Sequence, residues 1–157
     1  MENEKKEKVC AFTGHRSLEE NFKRSDLQKK IENLIKDGVS VFLSGVALGF
    51  DIIAAKTVLS LKKKYPFIKL VACIPCLNQE KYFSDEQKNE YYAVLEKADE
   101  KIVFSDHYYN GCMQKRNRYM ADRADVLVAY LKKNEGGTAY TVRYFEKNYP
   151  EKPIVFI

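Results

Sequence analysis

Apolar residues along this chain recur in two rhythms. Short runs dense in β-branched and aromatic side chains stand at Val9–Thr13, Val39–Leu43, Ile68–Ile74, Ile102–Phe104, Val126–Tyr130 and Pro153–Ile157. Several are continuous rather than alternating, as expected of strands buried on both faces. Between them the spacing lengthens to three and four residues: Leu27, Ile31, Leu34 and Ile35, then Ile52, Ala55, Val58, Leu59 and Leu61, then Tyr91, Tyr92, Val94 and Leu95, then Met113, Met120 and Ala121, and last Val142 and Phe145. These predict five helices. Asp26 is the N-cap candidate of the first and Asp37-Gly38 its stop, Tyr65-Pro66 ends the second, and Asp85 opens the third. Strand and helix alternate throughout, which predicts an α/β fold with a mainly parallel sheet and helices on both faces.

In open sheets of this kind ligands bind beyond the carboxyl ends of the strands. The loops that matter are therefore Gly14-His15-Arg16, Ser44 to Asp51, Pro75 to Tyr82, Tyr108 to Asn117 and Glu135 to Thr138. Two of them carry glycine pairs that open a helix, Gly45 with Gly49, and Gly136-Gly137 before Thr138. Either is a plain tight turn or a place where free helix amides meet an anion, and two on one sheet edge favour the anion. A helix N-terminus contributes only ~0.3–1 kcal/mol to an exposed anion, so a cation must add to it. Arg16 and Arg116 are the candidates, each with the alternative of a surface arginine paired to a neighbouring carboxylate. No Lys-Ser or Lys-Thr follows the glycines and no GxGxxG follows the first strand, so neither a P-loop nor a dinucleotide fingerprint is present. His15 could touch a ligand or satisfy the backbone, whereas His107 reads as surface. Tyr82, Phe83, Tyr108 and Tyr109 fall in ligand-side loops, where they stack on a base, close a pocket, or pack in an interface.

Composition narrows the classes. The 157 residues suit a single domain, 1–157, with residues 1–7 as a flexible N-terminal tail. No apolar run approaches the ~20 residues of a membrane span, and the charged start MENEKKEK is no signal peptide, so a cytoplasmic protein without a membrane partner is expected. The net charge of +5 is spread over lysine pairs and helix ends, which reads as a solvated face rather than a nucleic-acid footprint. Four cysteines in such a compartment are expected to be free thiols. Cys73 and Cys76 have redox spacing, but Cys73 lies within a strand and no second pair exists, so structural thiols and no metal are expected.

Taken in order, CAFTGHR, SGVALGFDIIAA, a strand ending in IPC followed by Gln79, YYAVLEKAD, GCMQKRNRYMADRAD and GGTAYTV resemble the YpsA-like subfamily of the SLOG superfamily. The resemblance runs from Val9 to Ile157. It implies a Rossmann-like three-layer sandwich, shared with the DprA/Smf DNA-processing proteins and the LOG phosphoribohydrolases, and a pocket for a nucleotide or nucleotide-derived ligand. Gly14, His15 and Arg16 would form one wall and Ser44, Gly45, Gly49 and Asp51 a phosphate turn. Gln79 follows the third strand, Arg116 and Asn117 stand where LOG-type enzymes have an Arg-Lys pair, and Gly136, Gly137 and Thr138 match the second glycine turn. The chain departs from LOG enzymes in one respect. Their PGGxGTxxE motif ends in a catalytic glutamate, whereas here Glu135 replaces the proline and Thr141 stands three residues after Thr138. Without that carboxylate an oxocarbenium-like transition state loses its stabiliser, although Asp51 or Glu135 could substitute. The expectation is a nucleotide-ligand sensor or regulator that needs no cofactor and forms a homo-oligomer. The alternatives are a LOG-like N-glycosidase and DprA-like single-strand nucleic-acid binding.

Overall fold

The computed structural model describes residues 7–157, so the expected tail lies, apart from Glu7, outside the described residues. The chain alternates β1 (Lys8–Gly14), α1 (Arg24–Lys36), β2 (Val39–Ser44), α2 (Phe50–Leu61), β3 (Lys69–Ile74), α3 (Asp85–Lys97), β4 (Glu100–Val103), α4 (Cys112–Arg123), β5 (Val126–Tyr130), α5 (Gly136–Asn148) and β6 (Ile154–Phe156). The sheet has six strands in the order β4-β3-β2-β1-β5-β6, and every pairing is parallel.

The period of two along the strands divides the interior into two cores. Cys10, Phe12, Phe42, Leu70, Ala72, Val126 and Val128 pack with the buried faces of α1, α2 and α3. Their neighbours Ala11, Val41, Leu43, Val71, Cys73, Leu127 and Ala129 pack with α4 and α5. Strands with apolar residues at every position are thus explained by two faces, each covered by helices. The chain builds outward from β1 through β2 and β3 to β4, then returns to β5 on the other side of β1. That reversal is the switch point, and it opens a crevice at the carboxyl ends of β1, β2 and β5.

Several element boundaries differ from the sequence expectation. Helix α1 begins at Arg24 with Lys23 as its N-cap, so Asp26 lies in the first turn, where its charge still suits the helix dipole. Helix α2 stops at Leu61, well before Pro66, because the amides of Lys64 and Tyr65 both turn back to the Leu61 carbonyl. Strand β4 covers Glu100–Val103, and Phe104 leaves it to set its ring edge-on to Tyr119 at 4.8 Å.

A repeated device aligns two strands. Asp99 and Asp125 each follow an alanine just before a strand. Asp99 accepts from the Leu70 amide at 2.8 Å and returns its own N–H to the Leu70 carbonyl, and Asp125 does the same with Val9. The recurring Ala-Asp was a readable signal for strand register.

Candidate functional site

A cleft of about 380 Å³ opens over the switch point. Phe12, Thr13 and Gly14 at the end of β1 form its base, with His15 and Arg16 beyond them. Ala47 and Asp51 enter from the β2–α2 turn, Met113, Gln114, Arg116 and Asn117 from α4, and Gly137 and Thr138 from α5. Eight of the thirteen residues expected from the sequence therefore meet in one place: Gly14, His15, Arg16, Asp51, Arg116, Asn117, Gly137 and Thr138. Gly136 lines an adjoining recess with His15, Arg16, Ser17, Lys133 and Glu135.

Ser44, Gly45, Gly49 and Gln79 do not line the cleft. Several donors of the β2–α2 turn are taken up by the protein itself. The Val46 amide bonds Ser44 Oγ, the Ser44 hydroxyl donates to the Asp51 carbonyl, the Phe50 amide bonds the His15 carbonyl at 3.1 Å, and the Ile52 amide bonds the Ala47 carbonyl. Its glycines admit protein rather than ligand. A Cβ on Gly45 would stand 2.5 Å from Arg116 Nη1, and one on Gly49 would stand 2.2 Å from the Arg16 carbonyl, at a φ of +90° that side chains avoid. Val46 is held at φ +51° with its side chain fully buried, a costly backbone state for a β-branched residue and one imposed by the core below it.

Arg116 is buried, with only 4% of its surface exposed, and its guanidinium is largely spent on the protein. Nη1 donates to the carbonyls of Gly45 and Cys73 at 3.2 and 3.0 Å, Nε donates to Asn117 Oδ1 at 2.9 Å, and Nη2 faces the thioether of Met113 at 3.9 Å. It joins the ends of β2 and β3 to α4. Because Asn117 Oδ1 is held by Arg116, its Nδ2 is the end turned toward Gly137. Burial lowers the Arg116 pKa, Asp51 opposes that shift, and an arginine stays charged. Asp51 is the one acidic residue among those that line the cleft. Its Oδ1 is buried without a hydrogen-bond partner among the described residues, and burial pushes its carboxyl up to about 7 despite the nearby Arg116 charge and the Ala47 backbone.

His15 and Arg16 divide the two roles the sequence left open. His15 Nε2 accepts from the amides of both Lys132 and Lys133, at 2.9 and 3.1 Å, so its imidazole is neutral and carries its proton on Nδ1. Burial and the Lys133 charge lower its pKa. It thereby holds the loop that delivers α5. Arg16 is exposed, lines both the cleft and the recess, and among the described residues has no carboxylate within ion-pair distance. Across from it, α5 begins after Glu135 with no side-chain cap, and among the described residues nothing accepts from the amides of Gly136, Gly137 or Thr138.

The family model described as the YspA SLOG family matches residues 5–156. The chain belongs to that family. Among its relatives, the SPbeta prophage-derived protein YoqJ of Bacillus subtilis is 36% identical over 132 residues, covering 76% of this chain and 77% of its own. The UPF0398 protein YpsA of the same organism is 30% identical over 165 residues, covering 96% and 92%. Among solved structures the fold is like that of DNA processing protein A from Streptococcus pneumoniae, with a TM-score of 0.68 at 18% identity. It is also like that of DNA processing protein A from Helicobacter pylori, with a TM-score of 0.66 at 23% identity, a structure described for its single-stranded DNA binding mode. This chain spans 50% and 64% of those two proteins, and the likeness concerns the fold.

Within this SLOG chain, the position three residues after Thr138 is closed to ligands. Thr141 is buried and its hydroxyl donates to the Gly137 carbonyl at 2.8 Å, so it buttresses α5. All four cysteines are free and buried, and burial pushes the Cys73 thiol up to about 12, which leaves it inert as a nucleophile at neutral pH. Among the described residues no group of three or more His, Cys, Asp or Glu side chains could hold a metal ion, and no helix is long and apolar enough to cross a membrane. Sequence reasoning missed Phe12, Thr13, Ala47, Met113 and Gln114 as cleft residues. Met113 was the findable one, since it stands three positions before Arg116 and so shares its helix face.

Proposed function

We propose that this domain binds a phosphate-bearing nucleotide or nucleotide derivative in the switch-point cleft and acts as a sensor or regulator, without turnover. The observation that carries this reading is the pairing of an open helix N-terminus with a free cation. Among the described residues the amides of Gly136 to Thr138 have no partner, and Arg16 stands across the cleft without a carboxylate. Helix amides, the Asn117 amide group and a guanidinium together suit a phosphate, with charge-assisted hydrogen bonds of about 1.5–3 kcal/mol each. Arg116 acts from beneath, by orienting Asn117. Thr141, at the position of the LOG-type glutamate, supplies no carboxylate. A small-molecule ligand bound by a homo-oligomer is the partner state that the family resemblance implies, and the cytoplasm is the place that the charge and hydropathy pattern leads us to expect.

Calorimetry with ribose 5-phosphate tests the anion site. The protein should bind it, and Gly137→Asp should weaken binding at least about tenfold by placing a carboxylate where the anion belongs. A Cβ at Gly137 meets only Asn117 Nδ2, at 3.8 Å, so the variant should keep its melting temperature. If the wild type ignores millimolar ribose 5-phosphate and nucleotides alike, the reading fails.

One observation favours a second reading. A carboxyl pushed up to about 7 in a cleft is suited to general acid-base work at neutral pH, so Asp51 could serve an N-glycosidase. Release of free base from nucleoside monophosphates, abolished in Asp51→Asn, would favour it over the sensor.

A further inference from the structure

Beside the cleft lies a larger cavity of about 620 Å³, lined by Cys76, Leu77, Asn78, Gln79, Lys81 and Tyr82 from the β3–α3 loop and by Asp106, His107, Tyr108 and Met113 from the β4–α4 segment. Its wall is unusually apolar for a surface. Tyr82 is 86% exposed, Tyr108 67%, Leu77 51% and Met113 38%. Exposed aromatic side chains cost solvation that burial elsewhere in the chain avoids, and four large apolar groups around one hollow are the composition of a ligand site.

Two features join this hollow to the cleft. Met113 lines both. The Gly45 carbonyl is shared as well, accepting from Arg116 Nη1 on the cleft side and from Gln79 Nε2, at 3.3 Å, on the cavity side. Gln79 Nε2 also faces the Tyr91 hydroxyl at 3.2 Å. Because the Gly45 carbonyl can only accept, the amide orientation of Gln79 is fixed, and its Oε1 is left buried with no donor among the described residues. An unmet acceptor in a cavity wall is a place for a ligand N–H. Asn78, beside it, is held at φ +66°, a turn conformation that asparagine tolerates.

We infer that this second cavity takes the base of the nucleotide whose phosphate lies in the cleft. The base stacks on Tyr108 or Tyr82, Met113 packs against the sugar between the two hollows, and a ring or exocyclic N–H of the base donates to Gln79 Oε1. The inference rests on the phosphate reading of the cleft for the ligand's other end. Cleft and cavity then form a single bipartite site that prefers nucleotides to sugar phosphates.

The test compares AMP, adenosine and ribose 5-phosphate by calorimetry on the full chain, with Tyr108→Ala and Tyr82→Ala. Both tyrosines are exposed and outside the core, so the variants should fold. AMP should bind at least roughly tenfold more tightly than ribose 5-phosphate, and at least one variant should remove most of that advantage while leaving ribose 5-phosphate unchanged. Equal binding of AMP and ribose 5-phosphate, unaffected by either variant, would overturn the base site and leave the cleft reading standing. Adenosine binding that is weakened by the variants, with no ribose 5-phosphate binding, would keep the base site and remove the phosphate reading. Binding of none of the three overturns both.

Discussion

The chain has two glycine turns that look alike in sequence, each following a strand and opening a helix, and the folded protein uses them in opposite ways. The turn before α2 is filled by the protein. Arg116 lies against Gly45, the Arg16 backbone lies against Gly49, and the amides of Val46, Phe50 and Ile52 go to Ser44, His15 and Ala47. The turn before α5 is open. A Cβ on Gly136 would meet nothing, one on Gly137 only an amide nitrogen, and among the described residues the first amides of the helix are unpaired. At α3 the corresponding end is closed by side chains, Ser84 and Gln87 reciprocally, whereas α1, α2 and α4, like α5, have no side-chain cap. A glycine pair is therefore not evidence of a ligand until it is known what fills the space it leaves.

The contrast breaks first at Gly49. Gly49→Ala adds a methyl 2.2 Å from the Arg16 carbonyl at a φ of +90°. It should cost about 3 kcal/mol or more, read as a collapse of the denaturant midpoint. Gly137→Ala should do the reverse, neutral or stabilising by up to about 1 kcal/mol, because it only raises helix propensity. Equal losses from the two substitutions would erase the distinction between the turns.

Asp51 sharpens the contrast from inside the cleft. Its carboxyl, ordinarily near 3.8, sits at about 7 in the folded chain, so the folded state holds a proton that the unfolded state gives up between those values. Stability from this group is present at acid pH and is lost as pH rises toward 7. Asp51→Asn should therefore raise stability at alkaline pH by at least about 1 kcal/mol, roughly 2–4 °C in melting temperature, with little gain at acid pH. It should also flatten the weakening of anion binding that ionised Asp51 imposes above about pH 7, measured with ribose 5-phosphate.

The smallest effect concerns the loop that carries the open turn. The His15 pKa is lowered from 6.5, so the unfolded state binds the proton first. The two bonds it accepts from Lys132 and Lys133 are present above pH 6.5 and are lost as pH falls through the lowered value. Hydrogen exchange at those two amides should accelerate below that point by an amount equivalent to about 1 kcal/mol, and His15→Ala should exchange fast at every pH.

Much of this was legible in the chain itself. The two rhythms of apolar residues marked six strands and five helices, because a residue's burial follows from the period of its own element, and a continuous apolar strand implies helices on both sides. The loops at the carboxyl ends followed from that alternation. Residue types also marked out Arg16 and Arg116, since few side chains can meet an anion, and singled out His15, while Asp51 entered through the family resemblance. Tertiary structure alone decided which roles they hold. Arg16 and Arg116 are equal as sequence, and only the packing of α4 against the ends of β2 and β3 buries one among carbonyls and leaves the other free. The glycine turns parted for the same reason. What occupies the space beside a residue lacking a side chain comes from segments distant in the chain, 71 residues away for Gly45 and Arg116, and no local pattern records it.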